Sequence, residues 1–229
     1  MKKLLATTLL ALAGTGAMAQ SAFQGFYGQV GAGYESNSLG STNLAFNSTP
    51  LKSPAASSNS GQINFGLGYN HALTNVWLLG IGAEYSAITP KFNGGDVTGA
   101  ACGGSCQTYF GYKISNRYSI FLTPGYALDK DSLIYAKAGY TSEKVQSTNW
   151  QNGNYDADYG FVTSSTVGGY ILGLGYKKII TGGLYGFGEA NYYGYSSPNL
   201  GGKYPNGTFT NYSPNTSAYN LLVGLGYKF

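Results

Sequence analysis

Nine charged residues share one property that narrows what this chain can fold into. Glu35, Glu84, Lys113, Arg117, Lys137, Glu143, Lys177, Glu189 and Lys228 all fall in segments where apolar residues alternate with small or polar ones. In every segment the charge has the parity opposite to the apolar residues. Val30, Ala32 and Tyr34 run against Glu35, and Leu79, Ile81 and Tyr85 against Glu84. Ile134, Ala138 and Tyr140 run against Lys137 in the same way. Successive side chains of a strand point to opposite faces, so one face carries every strand charge and the other carries none. A slip of one residue would exchange the two faces.

The alternating segments predict eight strands, over roughly 25–35, 61–70, 76–87, 107–128, 133–143, 165–177, 184–195 and 217–229. A four-fold echo supports the count. Leu67-Gly68-Tyr69, Pro124-Gly125-Tyr126, Leu174-Gly175-Tyr176 and Leu225-Gly226-Tyr227 each close an alternating run, at spacings of 57, 50 and 51 residues. Each interval holds one descending and one ascending strand. The segment 107–128 could break near Asn116. Even strand numbers in single-chain bacterial barrels favour one long strand, with Phe110, Tyr112, Ile114, Ile120, Leu122, Tyr126 and Leu128 on one face. Connections alternate between short (71–75, 129–132, 178–183) and long (36–60, 88–106, 144–164, 196–216). The expected fold is all-β, an eight-stranded antiparallel up-and-down transmembrane β-barrel with short turns at one end and long loops at the other. Apolar residues then face lipid and charges face the lumen. A mid-membrane Arg or Lys on the lipid face costs about 2–4 kcal/mol, which makes the parity decisive.

The two ends agree. Lys2 and Lys3, the apolar stretch from Leu4 to Ala13 and the small-x-small site Ala17-Met18-Ala19 predict a cleaved signal peptide over 1–19 and a mature barrel over 20–229. That stretch is too short for a spanning helix. At the other end the chain closes on Tyr227 and Phe229, an aromatic terminus to a final strand. Charged residues are 10% of the chain, against about 25% in an ordinary soluble domain. The net charge of +4 includes Lys2 and Lys3, so it implies no nucleic-acid partner.

Gly25-Phe26-Tyr27-Gly28, Pro124-Gly125-Tyr126-Ala127, Leu133-Ile134-Tyr135-Ala136 and Gly224-Leu225-Gly226-Tyr227-Lys228-Phe229 resemble the opacity-protein-like and OmpA-like eight-stranded outer-membrane barrels of Gram-negative bacteria. The resemblance covers essentially the whole mature chain. It implies outer-membrane localisation, lipid and lipopolysaccharide surroundings, and recognition of the terminal Tyr227 and Phe229 by the barrel-assembly machinery. It also implies a role in envelope integrity, surface interaction or narrow conduction. The peptidoglycan-binding domain of some relatives is not expected here.

Few residues promise chemistry. Cys102 and Cys106 form Cys-Gly-Gly-Ser-Cys in the second long loop, where an oxidising periplasm favours a loop-closing disulfide over a metal site or a reactive thiol. Asn152, Asn154, Asp156 and Asp158 alternate as in a calcium loop but lack the glycine and the closing glutamate, so a polar hairpin tip is the expectation. The lumen of an eight-stranded barrel is just wide enough for side chains to fill. Glu84 and Glu189 are therefore expected to meet bases such as Lys137 and Lys113, as a salt-bridged core or as a gate. The only histidine, His71, sits in a predicted turn away from the loop end, which argues against an enzyme. No cofactor or metal is expected. The loops, rich in Ser, Asn, Gly and Tyr, could contact a host or cell-surface ligand. The expected function is a structural or surface-interaction protein of the outer membrane, with a narrow porin-like channel as the alternative.

Overall fold

The protein is described from a computed structural model that covers residues 22–46, 49–94, 97–99, 104–106, 108–151, 160–204 and 209–229. Eight long strands form the barrel: β1 (Gly25–Leu39), β2 (Ala56–Ala72), β3 (Trp77–Ser86), β4 (Thr108–Asp129), β5 (Ser132–Gln151), β6 (Gly160–Thr181), β7 (Leu184–Tyr195) and β8 (Thr216–Lys228). Each pairs antiparallel with its sequence neighbour, and β8 pairs with β1 to close the ring. The closing register sets Gly28 against Tyr227, Ala32 against Val223 and Glu35 against Asn220. Closure leaves the final strand with no free edge. The predicted signal peptide lies outside the described residues.

The outer face is an apolar belt. Val30, Leu67, Ile81, Leu122, Leu174 and Val223 are all exposed on it. Aromatic residues rim both edges. Phe26 packs on Tyr69 at 4.8 Å between ring centroids, and Trp77 on Tyr126 at 5.0 Å, at the turn end. Tyr34 meets Tyr219 at 6.4 Å and Tyr170 meets Tyr192 at 6.2 Å at the loop end. From Tyr219 to Tyr227 the strand covers roughly 26 Å, and a tilt of ~40° makes the belt about 20 Å tall. Tyr34, Tyr85, Tyr140 and Tyr192 from the ascending strands are exposed in the loop-end rim. Tyr118, Tyr170 and Tyr219 join them from the descending strands.

One expectation fails at Asn116. This residue has φ 54°, the left-handed region that short polar side chains tolerate best. The β4–β5 register shifts there: Ser142 faces Tyr118, but Lys144 faces Ser115. Two residues of β4 oppose one of β5, which is a β-bulge, and the extra residue reverses which side chains point inward. Ile120, Leu122, Tyr126 and Leu128 stay on the belt, whereas Phe110, Tyr112 and Ile114 are buried inside. The strand is continuous as predicted, but its two halves do not share one face. Lys113 is consequently not a lumen residue, contrary to its sequence parity.

The long loops are not plain polar connections. Short strands over 202–203, 209–211, 42–46, 49–53, 97–99 and 104–106 make a second sheet at the loop end. A further short strand, Lys91–Asn93, resumes pairing with β4 beyond the end of β3. Leu44, Leu51, Leu200 and Tyr212 from these loops pack with Leu39, Phe110, Tyr112, Val145 and Val167 from the strands. Alternation marked the strands because each has a wet or charged face. This cap buries isolated apolar residues among polar ones and leaves no such period.

Candidate functional site

The site of interest is the barrel interior, which is filled in layers. At the turn end Phe23, Leu78, Ala127, Leu133 and Tyr135 form an apolar floor, with Ile179 against it. Close packing there depends on glycine. A side chain at Gly175 or Gly226 would enter the space of the Tyr135 or the Tyr185 ring. These strand glycines thus leave room for the aromatic side chain directly opposite on the neighbouring strand.

Above the floor lies Lys177, 5% exposed, from β6. It forms no ion pair among the described residues. Three tyrosine rings surround its ammonium group: Tyr27 at 4.0 Å, Tyr185 at 4.9 Å and Tyr135 at 5.1 Å. The negative faces of the rings stand in for a carboxylate. Sequence parity put Lys177 inside, but nothing in the sequence announced a cage built from β1, β5 and β7.

The next layer is the ion triad Glu84–Lys137–Glu189. The Lys137 Nζ donates to Glu84 Oε2 at 2.9 Å and to Glu189 Oε2 at 2.6 Å. Tyr135 donates to Glu189 Oε1 at 2.5 Å, and Tyr193 to Glu84 Oε1 at 3.1 Å. Asn191 donates to Glu189 Oε2 at 3.2 Å and to Asn220 at 3.0 Å. All three ions are buried. Side chains from four barrel strands, β3, β5, β7 and β8, meet in this layer.

A second cluster stands one layer nearer the loops. Arg117 pairs with Glu35 and, through Nη2, with Glu143 Oε2 at 2.8 Å. The same Nη2 donates to Asn37 Oδ1 at 2.8 Å, and Gln62 donates to Glu35 Oε2 at 3.1 Å. The guanidinium lies over the Tyr193 ring at 4.9 Å. The bulge at Asn116 sits beside Arg117 and opposite Glu143, so the kink and the ion pair share one place in the wall. The cap closes this end. Tyr212 lies 2.6 Å from Ser147 Oγ and donates to Asn149 Oδ1 at 3.0 Å. Burial pushes the Tyr212 hydroxyl well above the usual phenol range, so it stays a neutral donor.

Of the residues singled out from sequence, Glu84, Lys137 and Glu189 meet in one triad. Lys113 faces outward among the loop-end strands and takes no part. Sequence reasoning missed the partnership of Arg117 with Glu35 because strand distance around a ring is not legible before closure is known, and with Glu143 because the bulge that sets the two opposite each other leaves no signal in the pattern. Cys102 lies outside the described residues; Cys106 lies in the short strand 104–106. The segment 152–159 also lies outside them. His71 is exposed near the turn end of β2. Among the described residues no group of three His, Cys, Asp or Glu could hold a metal. Tyr227 and Phe229 stack edge to face at 5.4 Å, and the Phe229 amide donates to the Phe26 carbonyl at 2.9 Å.

Comparison with known proteins agrees with this architecture. Residues 5–229 match the model of a family described as outer membrane protein beta-barrel domain. The outer membrane protein OprG of Pseudomonas aeruginosa superposes with a TM-score of 0.57 at 15% identity, over 90% of this chain and 96% of that one. The outer membrane protease OmpT of Escherichia coli gives 0.57 at 11% identity, over 90% and 97%. The attachment invasion locus protein Ail of Yersinia pestis gives 0.45 at 13% identity, over 90% and 100%. Identities this low carry the fold and nothing of activity. No curated protein sequence matches this chain.

Proposed function

This chain belongs to the outer membrane protein β-barrel family, and from that premise we propose that it is a closed, non-enzymatic barrel that holds a β-structured cap above the membrane for contact with other surfaces. The supporting observation is the pairing of a filled lumen with a capped mouth. Two buried ion clusters and a caged lysine occupy the interior, and the cap packs Leu44, Leu51, Leu200 and Tyr212 into its outer end. A barrel so filled is a rigid pedestal. Its long strands β4, β5 and β6 carry the loop end well beyond the aromatic rim, toward the cell exterior.

The signal peptide over 1–19, the Cys102–Cys106 disulfide, the lipopolysaccharide surroundings and the use of Tyr227 and Phe229 by the barrel-assembly machinery belong to the same proposal. A single experiment in cells separates its parts. Replacing residues 42–53 with a short turn is expected to leave the outer-membrane level unchanged and to lower attachment of the bacteria to an epithelial monolayer toward the level without the protein. Unchanged attachment with new detergent sensitivity would instead assign the chain to envelope integrity. In the same cells, removal of Phe229 is expected to reduce the outer-membrane level itself. A normal level would overturn the terminal-aromatic signal.

A further inference from the structure

Lys91, Lys113 and Lys144 stand together on the outer wall, above the extracellular aromatic rim. Lys91 is directly opposite Lys113, and Lys113 and Lys144 lie on adjacent strands opposite Gln146 and Ser115. Residues opposed in a ladder share a face, so all three side chains project the same way. The bulge at Asn116 is what turns Lys113 outward. Like charges directly opposite each other destabilise a sheet, and among the described residues none of the three has an ion-pair partner. The described glutamates are all buried inside, and Asp129 and Asp131 lie at the periplasmic turn between β4 and β5. Asp96, Asp156 and Asp158 lie outside the described residues.

Lys91 and Lys113 line a groove of about 500 Å³ together with Asn93, Gly111, Gln146 and Thr148, and Lys144 stands next to it on β5, two residues before Gln146. Its height is informative. Lys144 follows Tyr140 on β5 by one more turn of the pleat than the rim itself, roughly 10 Å higher at ~3.3 Å per residue and ~40° tilt. That is the level of the outer headgroups, just above the hydrocarbon. We infer that this face binds the phosphates of lipopolysaccharide headgroups in the outer leaflet, with Lys91, Lys113 and Lys144 as the cationic contacts and Asn93, Gln146 and Thr148 as neutral donors. Lysine suits a phosphate held as a point charge at a wet boundary. This inference rests on the outer-membrane reading and gives it a lipid contact on the wall, separate from the cap.

The test uses the chain refolded in detergent micelles and titrated with fluorescent lipopolysaccharide or its enzymatically dephosphorylated form. The triple variant K91Q/K113Q/K144Q is expected to bind the phosphorylated form at least about tenfold more weakly than the parent protein. The parent is expected to bind the dephosphorylated form no better than the triple variant binds the intact one. K52Q/K203Q, which removes two cap lysines that do not line the groove, is expected to keep parental affinity. Equal binding by the triple variant, or an equal loss in K52Q/K203Q, would overturn the site. Displacement by millimolar inorganic phosphate would reassign it to free anions. Should the triple variant fold poorly, K91Q alone, at the exposed edge strand, is expected to show a smaller loss in the same direction. Failure of the barrel reading itself would show separately, as absence of a heat-modifiable folded form of the parent protein.

Discussion

Lys137→Ala is expected to destabilise the barrel by about 3–5 kcal/mol, because it leaves two carboxylates buried without their cation. Lys137 is 2% exposed and is held between Glu84 at 2.9 Å and Glu189 at 2.6 Å. The Tyr135 and Tyr193 hydroxyls donate to these same carboxylates, but neutral donors do not cancel two like charges brought close in a lumen of low polarity. The cost belongs to the broken set rather than to the lysine alone. Neutralising both acids as well, in Glu84→Gln/Lys137→Met/Glu189→Gln, is expected to recover most of the loss. Urea titration of folding into lipid vesicles reads both effects. A single variant as stable as the parent protein would show that the triad is solvated, and the filled-lumen account would fail with it.

Val223→Arg is expected to cost about 2–4 kcal/mol in the same titration, whereas Ser57→Arg is expected to lie within about 0.5 kcal/mol of the parent. Both positions are exposed, and only their solvent differs. Val223 is 71% exposed at mid-belt, midway between Tyr219 and Tyr227 on β8. Ser57 is exposed at the loop end of β2, opposite Ser38 and beyond the Tyr34 rim. In a soluble sheet two such arginines would be equally tolerated, since each could reach water. Equal midpoints would therefore remove lipid from the description of the outer face.

Much of this fold was legible because the lipid face imposes a strict period. Glu35, Glu84, Lys137, Glu143, Lys177 and Glu189 could be placed inside from parity alone, and they are buried there. Parity fails only where the chain breaks its own count. The extra residue at Asn116 carries no composition signal beyond asparagine's tolerance of the left-handed region, and it moved Phe110, Tyr112 and Ile114 inward and Lys113 outward. The partners of each charge were not legible. Lys137 reaches β3 and β7, and Arg117 reaches Glu35 on β1, across distances that only ring closure defines. The cap escaped detection because its strands are two to five residues long and lack alternation. The strand ends were underestimated for a related reason: above the rim, β5 and β6 face water on one side and the cap on the other, so polar residues such as Ser147 and Asn149 fill the interior positions.

The central claim is that the lumen is closed by its own side chains, and planar-bilayer recording tests it most directly. The refolded chain, inserted at defined orientation, is expected to add no sustained open level to the bilayer at moderate voltage and salt. A stable open level in most insertions, altered by Glu84→Gln or Glu189→Gln, would contradict the account and make the same ion clusters the gate of a narrow channel.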